Sequence, residues 1–285
     1  MKQQDFRFTE RLRVRWAEID AQNIVFNAHY LNYFDTAVGG YWRALALPYA
    51  DTMAALGGDL FVRKATLEYL GSARYDDQLQ IGVRCERVGN SSLQFICAVF
   101  RGGDLLVHGE LIYVFADPSA QMPKTVPPSL RALLERFEAG QAVTSVRLGD
   151  WAKLGSAAHA IRQAVFIDEQ KIAPEMEWDA ADASCLHAVA FNAYGVPLAT
   201  GRLLKHVPGV AKIGRMAVLG SLRGSHIGSD LLAALLQQGR SQGYREALLH
   251  AQLSAVGFYL RAGFVQRGEV FDKAGISHVE MTRSL

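Results

Sequence analysis

The sequence predicts two domains, an α+β domain with an antiparallel sheet wrapped on a long central helix and an α/β domain with a mixed sheet flanked by helices. One long helical pattern is followed by four strand-like runs, and beyond a proline-rich segment helices and strands alternate. At 285 residues the chain is long enough for two domains, each with its own core.

The first domain begins with the alternating stretch RLRVRWAEI, which predicts a strand. Large apolar residues from Tyr30 to Trp42 then recur at helical spacing, and they predict one amphipathic helix that ends near Pro48. Four runs with strand periodicity follow between Leu60 and Asp117, separated by Gly, Asn-Ser and Gly-Gly-Asp turns. This order predicts one helix packed against an antiparallel sheet.

The segment PSAQMPKTVPPSLRALLERFEAG predicts the end of this domain, because it closes with a short helix and the residues after it include few large apolar side chains. We therefore place the boundary at about residue 140, with domains at 1–140 and 141–285. In the second domain, strand, helix, hairpin and strand are followed by RGSHIGSDLLAALLQQGRSQG, which predicts a helix. A further strand, a short helix in AVGFYLRAG and two closing strands complete the mixed sheet.

Composition excludes several classes of protein. Half of the residues are hydrophobic, a fifth are charged and the formal net charge is +2, which indicates neither a nucleic-acid partner nor an anionic membrane partner. The three cysteines lack CxxC spacing, so neither a disulfide framework nor a metal site is predicted. Without a signal-peptide core or a membrane span, we expect a cytoplasmic protein.

Asp20 is the candidate catalytic residue of the first domain. Asn27 stands directly before the long helix and is the better placed N-cap, which leaves Asp20 free. A carboxylate that faces the free amides of a helix start can attack a carbonyl or activate a water, while the amides hold the oxyanion. The alternative is that Asp20 is a turn residue without a chemical role.

The stretch RVRWAEIDAQNIVFNAHYLNYFDTA, with a D-x-L strand entry and an S-S-L turn further on, resembles the 4-hydroxybenzoyl-CoA thioesterase-like hotdog acyl-CoA thioesterases over Phe6 to Phe137. The resemblance implies that Asp20 is the general base or nucleophile and that the helix start from Asn27 to His29 binds the thioester carbonyl. Related sites form between subunits, which implies a homodimer or homotetramer. Many relatives carry His at the Asn27 position, and Asn donates a hydrogen bond but does not shuttle protons.

The segment LRGSHIGSDLLAALL predicts an anion site, since a glycine-containing loop that opens a helix presents backbone amides to a phosphate. Together with IGRMAVL before it and FYLRAGF after it, it resembles the GNAT superfamily of acyl-CoA-dependent N-acyltransferases over Val146 to Leu285. RGSHIG matches the Arg-x-x-Gly-x-Gly pyrophosphate loop of that family, except that His226 replaces the first glycine. The amide of His226 can serve the same role if its backbone stays helical.

The resemblance implies further roles in the second domain. The pyrophosphate loop consists of Arg223, Gly224, Ser225, His226, Ile227 and Gly228. Met216, Ala217 and Val218 pair with the pantetheine arm of CoA, Tyr259 is the general acid near the sulfur, and Gln252 and Ser254 are polar contacts. Glu169, Glu175 and His187 remain as alternatives for the general base.

Both halves therefore indicate acyl-CoA or acetyl-CoA as substrate, with an amine acceptor for the second half and no permanently bound cofactor. The predicted function is bifunctional: hydrolysis of acyl-CoA thioesters and transfer of an acyl group to an amine. Two alternatives remain, a thioesterase with a CoA-binding regulatory module and an N-acetyltransferase with an oligomerisation scaffold.

Overall fold

The computed structural model describes residues 1–285, which form two compact units, Met1–Val143 and Thr144–Leu285. The predicted fold class is confirmed for both. The first unit contains a five-stranded antiparallel sheet with one long helix, and the second contains a seven-stranded mixed sheet flanked by helices. None of the helices is long and apolar enough to span a bilayer.

The first unit has five strands in the sheet order β1-β3-β4-β5-β2, and all neighbours are antiparallel. Its elements are β1 (Phe8–Arg13), α1 (His29–Ala44), α2 (Tyr49–Leu56), β2 (Asp59–Tyr69), β3 (Gln78–Val88), β4 (Ser92–Arg101), β5 (Asp104–Ala116) and α3 (Pro128–Glu138).

The helix α1 forms the core of this unit because its apolar residues recur every three or four positions and share one face. This face is fully buried against the sheet and consists of Tyr30, Tyr33, Phe34, Ala37, Val38, Tyr41 and Trp42. Contact is close enough that a Cβ at Gly109 of β5 would lie 2.9 Å from the ring of Phe34 and 2.2 Å from the carbonyl oxygen of Thr66. Glycine at position 109 therefore lets helix and sheet approach each other.

Two local predictions were wrong in the first unit. The strand β1 ends at Arg13 rather than continuing to Ile19, since a helical turn at Trp16–Glu18 follows it. A second helix, α2, follows Pro48, where one long helix was predicted to end and a strand to follow. Gly57 ends α2 with φ of 68°, a left-handed conformation that favours glycine.

The second unit has seven strands in the order β11-β12-β10-β9-β8-β7-β6. Its elements are β6 (Thr144–Gly149), α4 (Trp151–Arg162), α5 (Pro174–Glu177), β7 (Leu186–Asn192), β8 (Pro197–Val207), β9 (Val210–Val218), α6 (Ile227–Ser241), β10 (Glu246–Gln252), α7 (Val256–Arg261), β11 (Val265–Lys273) and β12 (Ile276–Ser284). Only β9 and β10 are parallel, and α6 connects them.

The first helix of this unit is only partly α-helical. Asp150 caps α4 by accepting a hydrogen bond from the amide of Lys153 at 3.0 Å, as an acid at a helix start is expected to do. Beyond Arg162 the chain continues as a π-helical segment, Gln163–Glu169, whereas the stretch WAKLGSAAHAIRQAVFIDEQ predicts one helix. Such segments are rare and often occur at functional sites.

The sheet opens between β9 and β10. Their parallel pairing ends at Ile213 and Leu249, so the rest of β9 has no strand partner on that side.

A bulge in β9 lies next to the opening, because Arg215 and Met216 both face the single residue Gly201 of β8. Arg215 has a left-handed backbone with φ of 53°. A Cβ at Gly201 would lie 2.5 Å from the sulfur of Met216, so the bulge favours glycine there.

A buried ionic network joins α4 to the segment before β7. Arg162 is 1% exposed, and its guanidinium contacts Glu177 at 2.6 Å and Asp182 at 2.8 Å. Arg202 contacts Asp182 at 2.6 Å, and Arg215 contacts Glu177 at 3.1 Å. Because each charge in the network has a partner, removing one of them leaves uncompensated charge in the interior.

We expect the substitution Arg162→Met to lower the free energy of unfolding of the second unit by roughly 3–5 kcal/mol, since Glu177 and Asp182 would keep their burial and lose a cation. Hydrogen exchange of peptides from β7 and β8, followed by mass spectrometry in denaturant, measures this unit separately. Arg240→Met, at the exposed end of α6, is the matched control and should change stability by less than about 0.5 kcal/mol. Equal effects of the two substitutions would contradict a stabilising network.

Candidate functional site

Asp20 lies in a tight turn before α1. The turn is closed by an antiparallel bridge between Ile19 and Val25 and by the amide of Asp20, which donates to the carbonyl of Ile24 at 2.9 Å. One carboxylate oxygen, Oδ1, accepts a hydrogen bond from the amide of Gln22 at 2.8 Å. Asp20 therefore does stabilise its own turn, as the alternative interpretation of the sequence held, and its second oxygen, Oδ2, stays without a partner.

A buried carboxylate two positions earlier fixes this turn to α1. Glu18 is 3% exposed, and its Oε2 accepts hydrogen bonds from the hydroxyl of Tyr33 and the amide of Arg15, both at 2.7 Å. Burial alone would raise the pKa of Glu18, but these hydrogen bonds and the Arg15 guanidinium together lower it below its ordinary value. The carbonyl of Glu18 also accepts from the amide of Phe26 at 2.9 Å.

The start of α1 corrects the predicted role of Asn27. The helix begins at His29, the capping position is Ala28, and no side chain caps it. Asn27 is exposed, and its carbonyl accepts a hydrogen bond from the hydroxyl of Tyr69 at 3.2 Å. Asn27 fails as a cap because the turn from Phe26 to His29 already satisfies the first helical amide: that of His29 donates to Phe26 at 2.9 Å.

The amides of Asn27 and Ala28 have no hydrogen-bond partner in the chain, so they remain as donors at this helix start. The side chain of His29 lies beside Asn32, with Nδ1 at 3.3 Å from the Asn32 amide nitrogen, and beside the ring of Phe26. The two free amides and the free oxygen of Asp20 belong to neighbouring turns of the same loop, and their roles in an acyl-transfer site stay a prediction.

The second unit contains a cavity of about 820 Å³ at the opening of its sheet. The wall includes the residues predicted for CoA binding in this unit, apart from Ser225: Met216, Ala217, Val218, Arg223, Gly224, His226, Ile227, Gly228 and Ser254, with Tyr259. The hydroxyl of Ser225 instead donates to the carbonyl of Leu222 at 2.5 Å, which holds the loop in place.

From the sequence, the amide of His226 was expected to bind pyrophosphate if its backbone is helical. The backbone of His226 is not helical. Its φ is 65° and ψ is −5°, a left-handed conformation, and Gly224 also has a positive φ of 86°. Left-handed backbone costs a residue with a side chain about 1–2 kcal/mol, which explains why a glycine at this position is the easier choice. The amides of Gly224, His226, Ile227 and Gly228 nevertheless stay without partners in the chain.

Two further residues predicted for this cavity are Arg223, which is fixed by an ion pair, and Tyr259, which is buried. Arg223 binds Glu169 through two contacts of 2.7 Å, so the end of the π-helical segment orients the loop before α6. Tyr259 is 7% exposed and its hydroxyl has no hydrogen-bond partner in the chain. Burial raises the pKa of Tyr259 well above its ordinary value, so it remains protonated at neutral pH.

A second cavity of about 490 Å³ lies on the other side of the same opening. Gln170, Met216, Gln252, Ala255 and Tyr259 line both cavities, so the two spaces meet at these residues. The sequence prediction missed the second cavity, because its wall combines residues from α5, β8, β9, β10 and the β11–β12 turn. The sequence did indicate a cationic region, because β8 and β9 each carry two basic residues, Arg202 and Lys205 on β8 and Lys212 and Arg215 on β9.

None of the three predicted general-base candidates lines either cavity. Glu169 is bound to Arg223, Glu175 is exposed on α5, and His187 is 1% exposed beside Trp151. His250 does line the second cavity; burial first, and then the charge of Lys212, lower its pKa, so it is neutral at pH 7.

One group of potential metal ligands lies behind the second cavity, formed by Asp182, Cys185 and His187. Its donor atoms are used in other contacts. The Asp182 carboxylate binds Arg162 and Arg202, and Nε2 of His187 lies 2.9 Å from the Asp182 carbonyl oxygen. Burial raises the pKa of Cys185 to about 11, so the thiol is protonated. This arrangement fits a structural cluster rather than a metal site.

Comparison with known proteins identifies two families. The thioesterase superfamily matches residues 22–108, a range that begins just after Asp20, and the acetyltransferase (GNAT) domain matches residues 164–285. The chain is 36% identical over 129 residues to a Bacillus subtilis protein named "Putative acetyltransferase"; the alignment covers 44% of this chain and 86% of the relative.

Two further relatives match the first unit. An Aquifex aeolicus protein named "Putative esterase" is 32% identical over 94 residues, which is 33% of this chain and 73% of that protein. The acyl-CoA thioester hydrolase YbgC of Escherichia coli is 29% identical over 122 residues, which is 42% of this chain and 90% of that enzyme.

We expect Glu18→Gln to destabilise the first unit in a pH-dependent manner. At pH 7 the loss of a charged acceptor should cost about 1.5–3 kcal/mol of unfolding free energy. Because the folded-state pKa of Glu18 is lowered, its contribution is present above the unfolded pKa and is lost as pH falls through the folded value. The difference between wild type and variant should therefore shrink below about pH 4.

Hydrogen exchange of peptides from the Asp20 turn and α1, measured between pH 3.5 and 7.5, tests this expectation after correction for intrinsic exchange. Glu68→Gln is the control, since the Glu68 side chain is 72% exposed. A stability difference that stays constant across this pH range would show that Glu18 contributes by packing and not by charge.

Proposed function

Since the chain belongs to the thioesterase superfamily through its N-terminal unit and to the GNAT acetyltransferases through its C-terminal unit, we propose that it uses acyl-CoA thioesters in two reactions. The N-terminal unit hydrolyses the thioester, and the C-terminal unit transfers the acyl group to an amine. The meeting of two cavities at Tyr259 carries the second assignment, because it gives the donor and the acceptor separate entrances. The thioester is a substrate, so no resident cofactor is required.

In the N-terminal unit, Asp20 supplies the carboxylate for hydrolysis. It either removes a proton from a water that attacks the thioester carbonyl, or attacks that carbonyl itself to form an anhydride that water then hydrolyses. In both routes the carbon–sulfur bond breaks, CoA leaves as its thiolate, and the acyl group becomes a carboxylic acid. The free amides of Asn27 and Ala28 stabilise the oxyanion.

The Asn27 side chain fits an accessory role in this scheme. It is exposed beside the free helix amides and can donate a hydrogen bond to the carbonyl or leaving group. Since an amide does not titrate near neutral pH, the sulfur of CoA must take its proton from water. His29, the first residue of α1, lies beside Phe26 where it can contact the bound CoA.

In the C-terminal unit, CoA occupies the larger cavity. The free amides of Gly224, His226, Ile227 and Gly228 and the positive end of the α6 dipole bind its pyrophosphate. The unpaired edge of β9 beyond Ile213 offers backbone groups to the amides of the pantetheine arm, as a sheet edge does to an added strand. Ser254 and Gln252 are polar groups near the thioester end.

The transfer step takes place where the cavities meet. The nitrogen of a neutral amine attacks the thioester carbonyl carbon, a carbon–nitrogen bond forms, and the carbon–sulfur bond breaks. Tyr259 gives its proton to the departing sulfur, and the tyrosine then regains a proton from solvent. The amine loses a proton to water or to His250, which is uncharged at pH 7 and lines the acceptor cavity.

We propose that the N-terminal unit also forms a homodimer or homotetramer. The edge strand β2 is long and mostly exposed, and it presents the apolar side chains of Phe61, Val62 and Tyr69 to solvent. Exposed edges with apolar side chains favour pairing with another chain. The three free cysteines are typical of a reducing compartment, which supports a cytosolic location.

Asp20→Asn should reduce thiol release from a panel of acyl-CoA substrates by at least ~100-fold, the lower end of the contribution of a general base. Acyl transfer to amines should be unchanged, because the second reaction uses another unit. The measurement is free CoA thiol with and without an added amine. Asp51→Asn, on the exposed side of α2, is the matched control. Unchanged hydrolysis would favour a scaffold role for the N-terminal unit.

Tyr259→Phe should lower kcat for acyl transfer by roughly 10²–10⁴-fold, because the departing sulfur loses its proton donor. The affinity for CoA, measured by calorimetry on the full chain, should stay within about twofold, since the ring remains. Tyr244→Phe, which lies outside both cavities, is the control. Tight CoA binding without transfer in the wild type would instead favour a regulatory CoA-binding module.

A further inference from the structure

The wall of the acceptor cavity carries more positive than negative charge. Its charged side chains are four cations and two carboxylates: Arg202, Arg215, Lys212, Lys273, Glu177 and Asp179. An excess of two positive charges in a partly enclosed space favours an anion over a cation there.

Both carboxylates are already neutralised by arginines. Glu177 contacts Arg162 at 2.6 Å and Arg215 at 3.1 Å, while Asp179 contacts Arg202 at 2.6 Å and Arg215 at 3.1 Å. The carboxylates therefore balance the arginines, and a cationic ligand would have to compete with these contacts. The unbalanced charge belongs to the two lysines.

Neither Lys212 nor Lys273 forms an ion pair with a carboxylate; the nearest acid to Lys212, Glu280, acts on it through space and contacts Nε2 of His250 at 3.6 Å. The Nζ of Lys212 lies 3.5 Å from Nε2 of His250, which is a neutral group at pH 7, and Lys273 forms no ion pair. Burial lowers the pKa of Lys212 and the charge of Lys273 lowers it further. The pKa of Lys273 is also lowered, first by partial loss of hydration and then by the charges of Arg215 and Arg202. The cationic groups therefore repel one another in this cavity.

A buried donor in the same wall is also unsatisfied. Arg202 is 6% exposed, and although its terminal nitrogens bind Asp179 and Asp182, its Nε has no acceptor. Buried donors and unpaired cations cost free energy that a bound anion would recover. The CoA phosphates do not need these groups, since the larger cavity has its own cations without a carboxylate partner, Arg261 and Arg283.

We propose that the acceptor of the C-terminal unit is a small amine that also carries an anionic group, a carboxylate or a phosphate, which binds Lys212 and Lys273. The proposal rests on the acetyltransferase function. The amine then points to the junction of the cavities at Tyr259, and the anionic group lies toward the lysines. A volume of about 490 Å³ suits a small-molecule acceptor.

Matched amines test this inference on the full chain saturated with CoA. The carboxylate pair is β-alanine and its amide, and the phosphate pair is phosphoethanolamine and ethanolamine. Calorimetry should show at least one anionic member binding roughly tenfold or more tightly than its neutral partner. The pair that shows the difference identifies the anionic group. Absence of anion binding, or equal affinity within both pairs, would overturn the proposal.

Two variants assign the effect to the lysines. Lys212→Gln and Lys273→Gln should each reduce the affinity for the anionic amine about tenfold and leave the neutral amine unchanged. Since Lys273 is exposed at the rim, its variant should fold even if Lys212→Gln does not. Lys205→Gln, which removes the same charge outside the cavity, should have no effect. Retained anion preference in Lys273→Gln would contradict the assignment.

Transfer assays with the same amines separate this proposal from the function on which it rests. Lysine-dependent anion binding without acylation of any amine would refute the acetyltransferase function and leave the anion site intact. Preferential acylation of the neutral amines would refute the anionic acceptor and leave the acetyltransferase function intact.

Discussion

The opening of the C-terminal sheet between β9 and β10 is the constraint on which the proposed transfer site depends. A sheet normally satisfies both edges of an internal strand, and here the pairing stops at Ile213 and Leu249. Backbone groups of β9 beyond that point need another partner, and an extended ligand with amide groups can supply it. The bulge opposite Gly201 turns Arg215 and Met216 at the point where the strands separate. One local irregularity therefore produces both the proposed CoA edge and the wall of the proposed acceptor cavity.

The buried ionic network holds that wall in place. Burying several charges costs hydration free energy, and apolar side chains of similar volume would often be as stable. What apolar side chains would not provide is a fixed orientation for Arg202 and Arg215, whose guanidinium groups line the cavity. Asp179 and Glu177 hold them through contacts of 2.6–3.1 Å. The network thus fixes charged groups at a ligand site, where flexible side chains would lose affinity to conformational entropy.

Much of the fold could be predicted because helices and strands repeat at different intervals. The apolar face from Tyr30 to Trp42 and the long strand runs are local patterns, and the glycine-containing loop before Ile227 predicted an anion site by its position before a helix. The left-handed backbone of His226 could not be predicted, since a residue with a side chain normally avoids it. The same holds for the bulge at Arg215.

The contacts between distant residues escaped prediction for a different reason. In the sequence, nothing distinguishes Glu18 from other acidic residues. In the folded chain, the Tyr33 hydroxyl lies 2.7 Å from Oε2 of Glu18. Arg162 and Glu177 are similarly separated in sequence and joined by the π-helical segment and α5. Periodicity indicates which face of a helix or strand is apolar. It does not indicate which polar side chains contact each other in the folded chain. Charged residues in predicted core positions are the signal that such a partner exists.

The candidate catalytic residues of the two units also differ in the proton transfer that they can perform. This difference separates hydrolysis of the thioester from transfer of its acyl group. Asp20 is half-buried at the start of a turn whose next residues are exposed, and one of its carboxylate oxygens is free, so in the proposed hydrolysis a water can reach it. Tyr259 is buried and protonated, so it can donate to sulfur but not remove a proton from water. A thioester bound beside Tyr259 would therefore react only with a nucleophile that needs no strong base catalysis. A neutral amine meets this requirement and water does not.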